Sequence, residues 1–170
     1  MSAALAFLGL GSNLAHPRRQ IARAVRAIGR LPGLRIVAVS PNYASAPIGG
    51  DANDPDYVNA VVAVRTTRAP RALLAALHAI ERRQHRRRGR EVRRNASRTL
   101  DLDLLLFGRR WIALPGLTVP HPRMHGRAFV LRPLLDIAPG ATIPARGLAR
   151  RYLKTVCDQR IVRTRAHFLH

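Results

Sequence analysis

The chain has 170 residues, 47% of them hydrophobic but only 5% aromatic, and a formal net charge of +21. That length suits one domain around one core of Leu, Val, Ile and Ala, and the apolar content excludes disorder for most of the chain. The lone cysteine, Cys157, excludes an internal disulfide and a zinc-finger type of site, and no stretch approaches the ~20 apolar residues that span a membrane.

In chain order, residues 5–10 are an apolar run that reads as a buried strand ending at Gly9-Leu10-Gly11-Ser12-Asn13, where glycine and Asn suit a tight turn. The run lacks a basic flank and a small-residue cleavage site, so it is not read as a signal peptide and the chain is expected in the cytoplasm. Pro17 opens a helix with Ile21, Val25 and Ile28 on one face. Residues 34–39 and 57–64 read as strands, and the Gly-, Pro- and Asp-rich stretch from Ser45 to Asp56 as a loop. A second helix starts at Pro70, with Leu73, Leu77 and Ile80 as its buried stripe and Leu74, His78 and Glu81 beside it.

Residues 82–98 are crowded with Arg and hold no aromatic, which reads as a mobile, solvated loop. Residues 100–107 resume as a strand. The order β-α-β-β-α-β predicts an α+β, ferredoxin-like sandwich with helices over one face of a mainly antiparallel sheet. Beyond it lie a short apolar pair at Trp111-Ile112, a loop over 120–125, a helical stretch near 129–137 and a basic C-terminal extension. The charge suits a phosphate-rich ligand, nucleotide or nucleic acid, but all its Lys and Arg except Lys154 are Arg, as GC-rich coding alone would produce.

Asp101 and Asp103 carry the most chemistry. Two apart on a strand, they share a face at a spacing of about 6 to 7 Å, with Leu105 and Phe107 continuing that face into the core. Two like charges there need a cation, and Mg²⁺ fits because it takes one or two carboxylates and completes its shell with water and phosphate. A solvated strand end is the plainer alternative. Arg98, just upstream, suits forked hydrogen bonds to phosphate, and Arg86, Arg87, Arg88, Arg90, Arg93 and Arg94 could supply more as a loop closing over a polyphosphate, unless the run is only a solvated charged surface. His121 and Arg127 place two potential phosphate donors near Phe129, with no Ser or Cys marking a nucleophilic triad. Tyr57 and Asn59 share a strand face, a ring beside an amide able to pair with a heterocycle. The glycine motif lacks the Lys-Ser/Thr of a P-loop and the third glycine of a dinucleotide fingerprint.

These motifs stand in a fixed order. Gly9-Leu-Gly-Ser-Asn13 is followed by Pro55-Asp-Tyr57-Val-Asn59, Glu81, Arg94-Asn-Ala-Ser-Arg98-Thr-Leu-Asp101-Leu-Asp103, and Pro120-His121-Pro-Arg-Met124 through Arg127-Ala-Phe129. Together they resemble the 6-hydroxymethyl-7,8-dihydropterin pyrophosphokinases over about residues 4–144. The resemblance implies the ferredoxin-like fold and transfer of diphosphate from ATP to the pterin hydroxyl with release of AMP, in folate biosynthesis. It further implies two Mg²⁺ ions on Asp101 and Asp103, and ATP contacts from His78, Glu81, Arg98, His121 and Arg127. Tyr57 and Phe129 would stack on the pterin, Asn59 and the backbone near Ser45 and Ile48 would bind its edge, and Arg86 and Arg88 would close over the phosphates with Arg98. The implied partners are these two small molecules, with no specific nucleic acid, no membrane and a monomeric chain.

The sequence departs from the family's pattern at three positions. His78 stands where a Gln is common, Asn95 where some members carry Trp, and His85 where Gly is frequent. The alternative reading, a basic RNA-binding protein using the 82–98 run, lacks the aromatics that single-strand recognition normally interleaves with charge.

Overall fold

The computed structural model describes residues 2–49, 53–84 and 99–164. Its elements run β1 (Ala4–Ser12), α1 (Pro17–Gly29), β2 (Leu34–Val39), β3 (Tyr43–Ser45), β4 (Tyr57–Thr66), α2 (Pro70–Arg83) and β5 (Asp101–Phe107). There follow β6 (Ile112–Leu114), β7 (Leu117–Val119), α3 (Ala128–Ile137), β8 (Thr142–Ile143), β9 (Gly147–Leu148) and β10 (Ile161–Arg163). Short 3₁₀ helices lie at Met124–Gly126 and Ala149–Val156. No described helix is long and apolar enough to cross a membrane.

The main sheet has the order β10-β3-β4-β1-β5, with β2 also on β4, and every pairing in it is antiparallel. β2 and β3 lie end to end along β4; β2 is the strand expected over 34–39, and β3 is a further strand the sequence did not announce. The break falls at Ser40 and Pro41. Ser40 donates its N–H to Val61 O and accepts the Val61 N–H on its Oγ, each at 2.9 Å, while Pro41 has no N–H to offer a ladder. Ser45, expected in a loop, closes β3 instead.

Each face of the sheet is covered. On one side Ile21, Ala24 and Ile28 of α1 and Leu73, Leu77 and Ile80 of α2 pack on Leu8, Leu10, Val62, Val64, Leu102 and Leu104. On the other, Val130, Leu131 and Leu134 of α3 join Ala149 and Val156 over Phe7, Val61, Ala63, Leu105 and Leu106. The expectation of helices over one face is therefore corrected. Its sequence trace is the run Asn59-Ala-Val-Val-Ala-Val64, in which every residue is buried because neither side of β4 meets water.

One irregularity matters for the site. The β1–β5 register jumps from Leu8↔Leu104 to Phe7↔Leu106, so β5 carries one extra residue, a bulge. Leu105 stays on the face of Asp101 and Asp103, as alternation requires, but Leu106 joins it there and Phe107 turns to the α1–α2 side. Phe107 therefore does not share the face of the acidic pair, contrary to uninterrupted alternation.

The chain beyond β5 is more structured than its composition suggests. Ile112–Leu114 and Leu117–Val119 form a hairpin whose two-residue turn holds Gly116 at φ +74°, a region an L side chain adopts only with strain. The basic extension contributes a packed 3₁₀ helix and an edge strand, β10, which pairs with β3.

Candidate functional site

A cavity of about 850 Å³ opens on the α3 side of the sheet and continues around the edge strand β5. Its floor follows from register. Gly11 of β1 sits between Asn59 of β4 and Asp101 of β5, and Gly9 sits between Val61 and Asp103. The glycines thus occupy the middle of two rows whose ends carry an amide and two carboxylates. A Cβ on Gly11 would come within 3.3 Å of Asn59 Oδ1, and one on Gly9 within 3.3 Å of Leu105 Cδ2. Here glycine keeps the floor low. The tight turn expected over Gly9–Asn13 does not begin at the glycines, because β1 continues through Ser12.

Over the β4–β1 part of this floor, the lining includes Ser45, Ile48, Tyr57, Asn59 and Phe129. Asn59 is buried and donates through Nδ2 to Ser45 Oγ at 2.8 Å, which fixes the amide and leaves its oxygen side turned toward Gly11. Tyr57 and Phe129 are half-buried, each with part of its surface in the cavity. The Arg127 guanidinium lies 5.3 Å from the centre of the Phe129 ring, a cation–π contact. Around the β5 edge the lining changes to Leu74, His78, Leu104, Leu117 and Thr118. Asp101, Asp103, His121, Arg123 and Arg127 stand between these two parts.

His121 has a defined tautomer. Its Nδ1 accepts the Arg123 N–H at 3.2 Å, so the neutral ring carries its proton on Nε2, which lies 3.9 Å from Asp103 Oδ2. Burial, then Arg127 and Arg123, push its pKa down to about 4, against a smaller upward pull from Asp101. At neutral pH the ring is therefore an uncharged Nε2–H donor, and the 3.9 Å approach is not an ion pair. The backbone holds it there, since the His121 N–H bonds to Leu105 O at 2.9 Å after the cis Val119–Pro120 peptide.

Glu81 behaves differently from the other candidates. It is fully buried, does not line the cavity, and accepts the Leu102 N–H at 2.8 Å, anchoring the outer edge of β5 between the two aspartates. Arg86, Arg88 and Arg98, with His85 and Asn95, lie outside the described residues. The rest of the candidate set, Ser45, Ile48, Tyr57, Asn59, His78, Asp101, Asp103, His121, Arg127 and Phe129, comes together around the one cavity. Sequence reasoning missed Gly9 and Gly11 as floor residues and Arg123 and Thr118 as lining. Only strand register could have revealed the glycines.

Two carboxylates on one strand face, beside a neutral imidazole and two arginines, are a donor set suited to a hard divalent cation carrying phosphate. Among the described residues no third acidic, Cys or His group joins them to close a protein-only metal cage.

Residues 7–139 match the family described as 7,8-dihydro-6-hydroxymethylpterin-pyrophosphokinase. The 2-amino-4-hydroxy-6-hydroxymethyldihydropteridine pyrophosphokinase of Pseudomonas aeruginosa is 53% identical over 138 residues, 81% of this chain and 83% of that protein. The protein of the same name from Haemophilus influenzae is 40% identical over 158 residues, 93% of this chain and 96% of that one. In fold, the chain is similar to a solved HPPK-DHPS in complex with substrates, with a TM-score of 0.68 at 16% identity over 92% of this chain. It spans 44% of that longer chain, and 43% of a Plasmodium falciparum HPPK-DHPS that it matches with a TM-score of 0.66 at 14% identity. The match over most of its length, and relatives of this identity covered to 83% and 96%, mean that the chain belongs to the 7,8-dihydro-6-hydroxymethylpterin-pyrophosphokinase family.

Proposed function

We propose that the chain transfers diphosphate from ATP to 6-hydroxymethyl-7,8-dihydropterin, releasing AMP, as a step of folate synthesis. The observation that carries this reading is the pair of rows Asn59–Gly11–Asp101 and Val61–Gly9–Asp103, which sets a floor for a flat ring directly beside two carboxylates in one cavity. In this reading the pterin lies over Gly9 and Gly11 between Tyr57 and Phe129, with its edge on Asn59, Ser45 and the backbone near Ile48. ATP lies around β5, its base toward His78, Leu74 and Thr118 and its phosphates toward His121, Arg123 and Arg127. Glu81 serves ATP indirectly, by holding β5.

Asp101 and Asp103 would hold two Mg²⁺ ions, which when bound neutralise phosphate charge. The pterin hydroxyl oxygen forms a bond to the β-phosphorus as the bond between that phosphorus and the α-β bridging oxygen breaks, so the bridging oxygen departs with AMP and the hydroxyl proton passes to solvent. Little covalent work falls to the protein. The floor and rings orient the acceptor, and the His121 Nε2–H and the Arg127 guanidinium donate to phosphate oxygens where charge gathers. Arg98, Arg86 and Arg88 would add further donors. The sheet order fits a ferredoxin-like sandwich acting as one domain, and the reading includes a monomeric, cytoplasmic protein. The RNA-binding alternative finds no support among the relatives.

The test is turnover with ATP, Mg²⁺ and the reduced pterin, in which AMP and pterin diphosphate should appear one for one. Asp101→Asn or Asp103→Asn should abolish turnover while the protein still folds, because each substitution keeps the shape of the side chain and removes only its charge. Release of ADP, or full activity in both variants, would end the proposal.

A further inference from the structure

We propose that Gln159, Arg160 and Ile161 form a clasp that sets the gap between the two ring-bearing walls of the cavity, and so act as positioning residues for the flat acceptor. This rests on the function proposed above. The three residues lie beyond the 7–139 stretch that matches the family, in a segment whose composition marks it only as basic.

Three consecutive residues grip three separate parts of the cavity rim. The Gln159 side-chain amide spans Arg127: its Oε1 accepts the Ala128 N–H at 2.8 Å and its Nε2 donates to Gly126 O at 2.8 Å. Helix α3 has no capping side chain of its own, so Gln159 supplies the missing acceptor and fixes the peptides on both sides of Arg127, just before Phe129. On the facing wall, the Arg160 guanidinium makes a forked pair with both carboxylate oxygens of Asp56, at 2.9 and 2.5 Å, and Asp56 directly precedes Tyr57. That pair holds the Asp56 carboxyl below its usual pKa range. Ile161 pairs with Ser45 in the β10–β3 ladder, and the Ala46 N–H reaches Arg160 O at 3.4 Å.

One short stretch of chain thus bridges the Phe129 wall, the Tyr57 wall and the Ser45 rim. The far end of the strap is tied as well, with the Thr164 N–H and Oγ1–H both on Asn42 O. Its contacts fall at the immediate neighbours of Arg127 and Tyr57. The forked geometry suits holding a distance, since a bidentate Arg–carboxylate pair resists rotation where a Lys contact would not.

The experiment compares the full-length protein with Gln159→Ala, Arg160→Ala, Arg160→Lys and the swap Asp56→Arg/Arg160→Asp. Steady-state constants are measured for each substrate, together with amide hydrogen exchange of Ala128. Each Ala variant should raise the pterin KM roughly threefold to tenfold, the size expected when one or two hydrogen bonds that hold a wall are lost; the ATP KM should change little in Arg160→Ala and should rise less than the pterin KM in Gln159→Ala, because Gln159 also steadies Arg127. Gln159→Ala should speed Ala128 exchange. Arg160→Lys should fall between, and the swap should recover part of the loss. Equal rises in both KM values, a loss confined to kcat, or unchanged Ala128 exchange would overturn the clasp while leaving the proposed function intact. A parent protein that makes no AMP and pterin diphosphate would overturn both.

Discussion

Gly11→Ala separates folding from binding. The added Cβ would sit 3.3 Å from Asn59 Oδ1, a few tenths of an ångström inside ordinary contact, with nothing else within 4 Å. Ala is the better strand residue by roughly 0.5 to 1 kcal/mol because glycine loses more conformational freedom on folding. Against that stands a small displacement of Asn59, whose 2.8 Å bond to Ser45 can lengthen by 0.3 Å and remain a hydrogen bond. The two effects nearly cancel, so the melting temperature should move by no more than about 2 °C. Binding has no such compensation. The methyl group stands on the cavity floor and turns the Asn59 amide away from the acceptor's edge, which forfeits about one hydrogen bond, on the order of 1 to 1.5 kcal/mol, or roughly a tenfold rise in the pterin KM. Steady-state kinetics with pterin varied at saturating ATP, alongside thermal melting, read both quantities. A pterin KM equal to the parent's, at any melting temperature, would show that the floor does not need to be low there.

Two other perturbations have signs fixed by the site. Glu81→Ala leaves the Leu102 N–H without its acceptor in a fully buried place, which costs about 1 to 3 kcal/mol plus the cavity left behind, and thermal melting should fall by roughly 4 to 10 °C. Glu81→Gln, which keeps an acceptor, should fall less, and an unchanged melting temperature in Glu81→Ala would remove Glu81 as the anchor of β5. For His121 the folded pKa of about 4 lies below the ordinary 6.5, so the unfolded chain takes the proton first. The stability held by the neutral ring is complete above pH 6.5 and drains away as pH falls to 4, an amount on the order of 3 kcal/mol. Denaturant unfolding without divalent ions should therefore show parent and His121→Gln converging or crossing over that window, and a difference independent of pH would place the imidazole in water.

What could be read from sequence was whatever depends on near neighbours. Asp101 and Asp103 share a face because alternation over two residues survives almost any tertiary context, and Leu73, Leu77 and Ile80 bury together because helical periodicity is equally local. Gly9 and Gly11 misled because glycine followed by Ser-Asn is ordinary turn chemistry, while their use here is set by Asn59 and Leu105, far along the chain. Phe107 failed for a related reason, since the bulge that turns it belongs to the pairing with β1. Gln159 and Arg160 carry no local signal at all. Their partners stand 31 and 104 residues upstream, and only folding brings them together. A second covered face was foreshadowed by the unbroken apolar run in β4, yet α3 and the 149–156 segment that cover it are recognisable only once the sheet exists.

The extra residue in β5 makes that strand two half-strands in different phase. Upstream of it the timing is set by polar work, and losing or gaining a single residue there would rotate both carboxylates into oil. Downstream the timing is set by packing alone, and a slip of one can be absorbed where the ladder is already broken. Tolerance of length change should therefore be lopsided along seven residues, with drift permitted toward the Phe107 end and forbidden toward the Asp101 end.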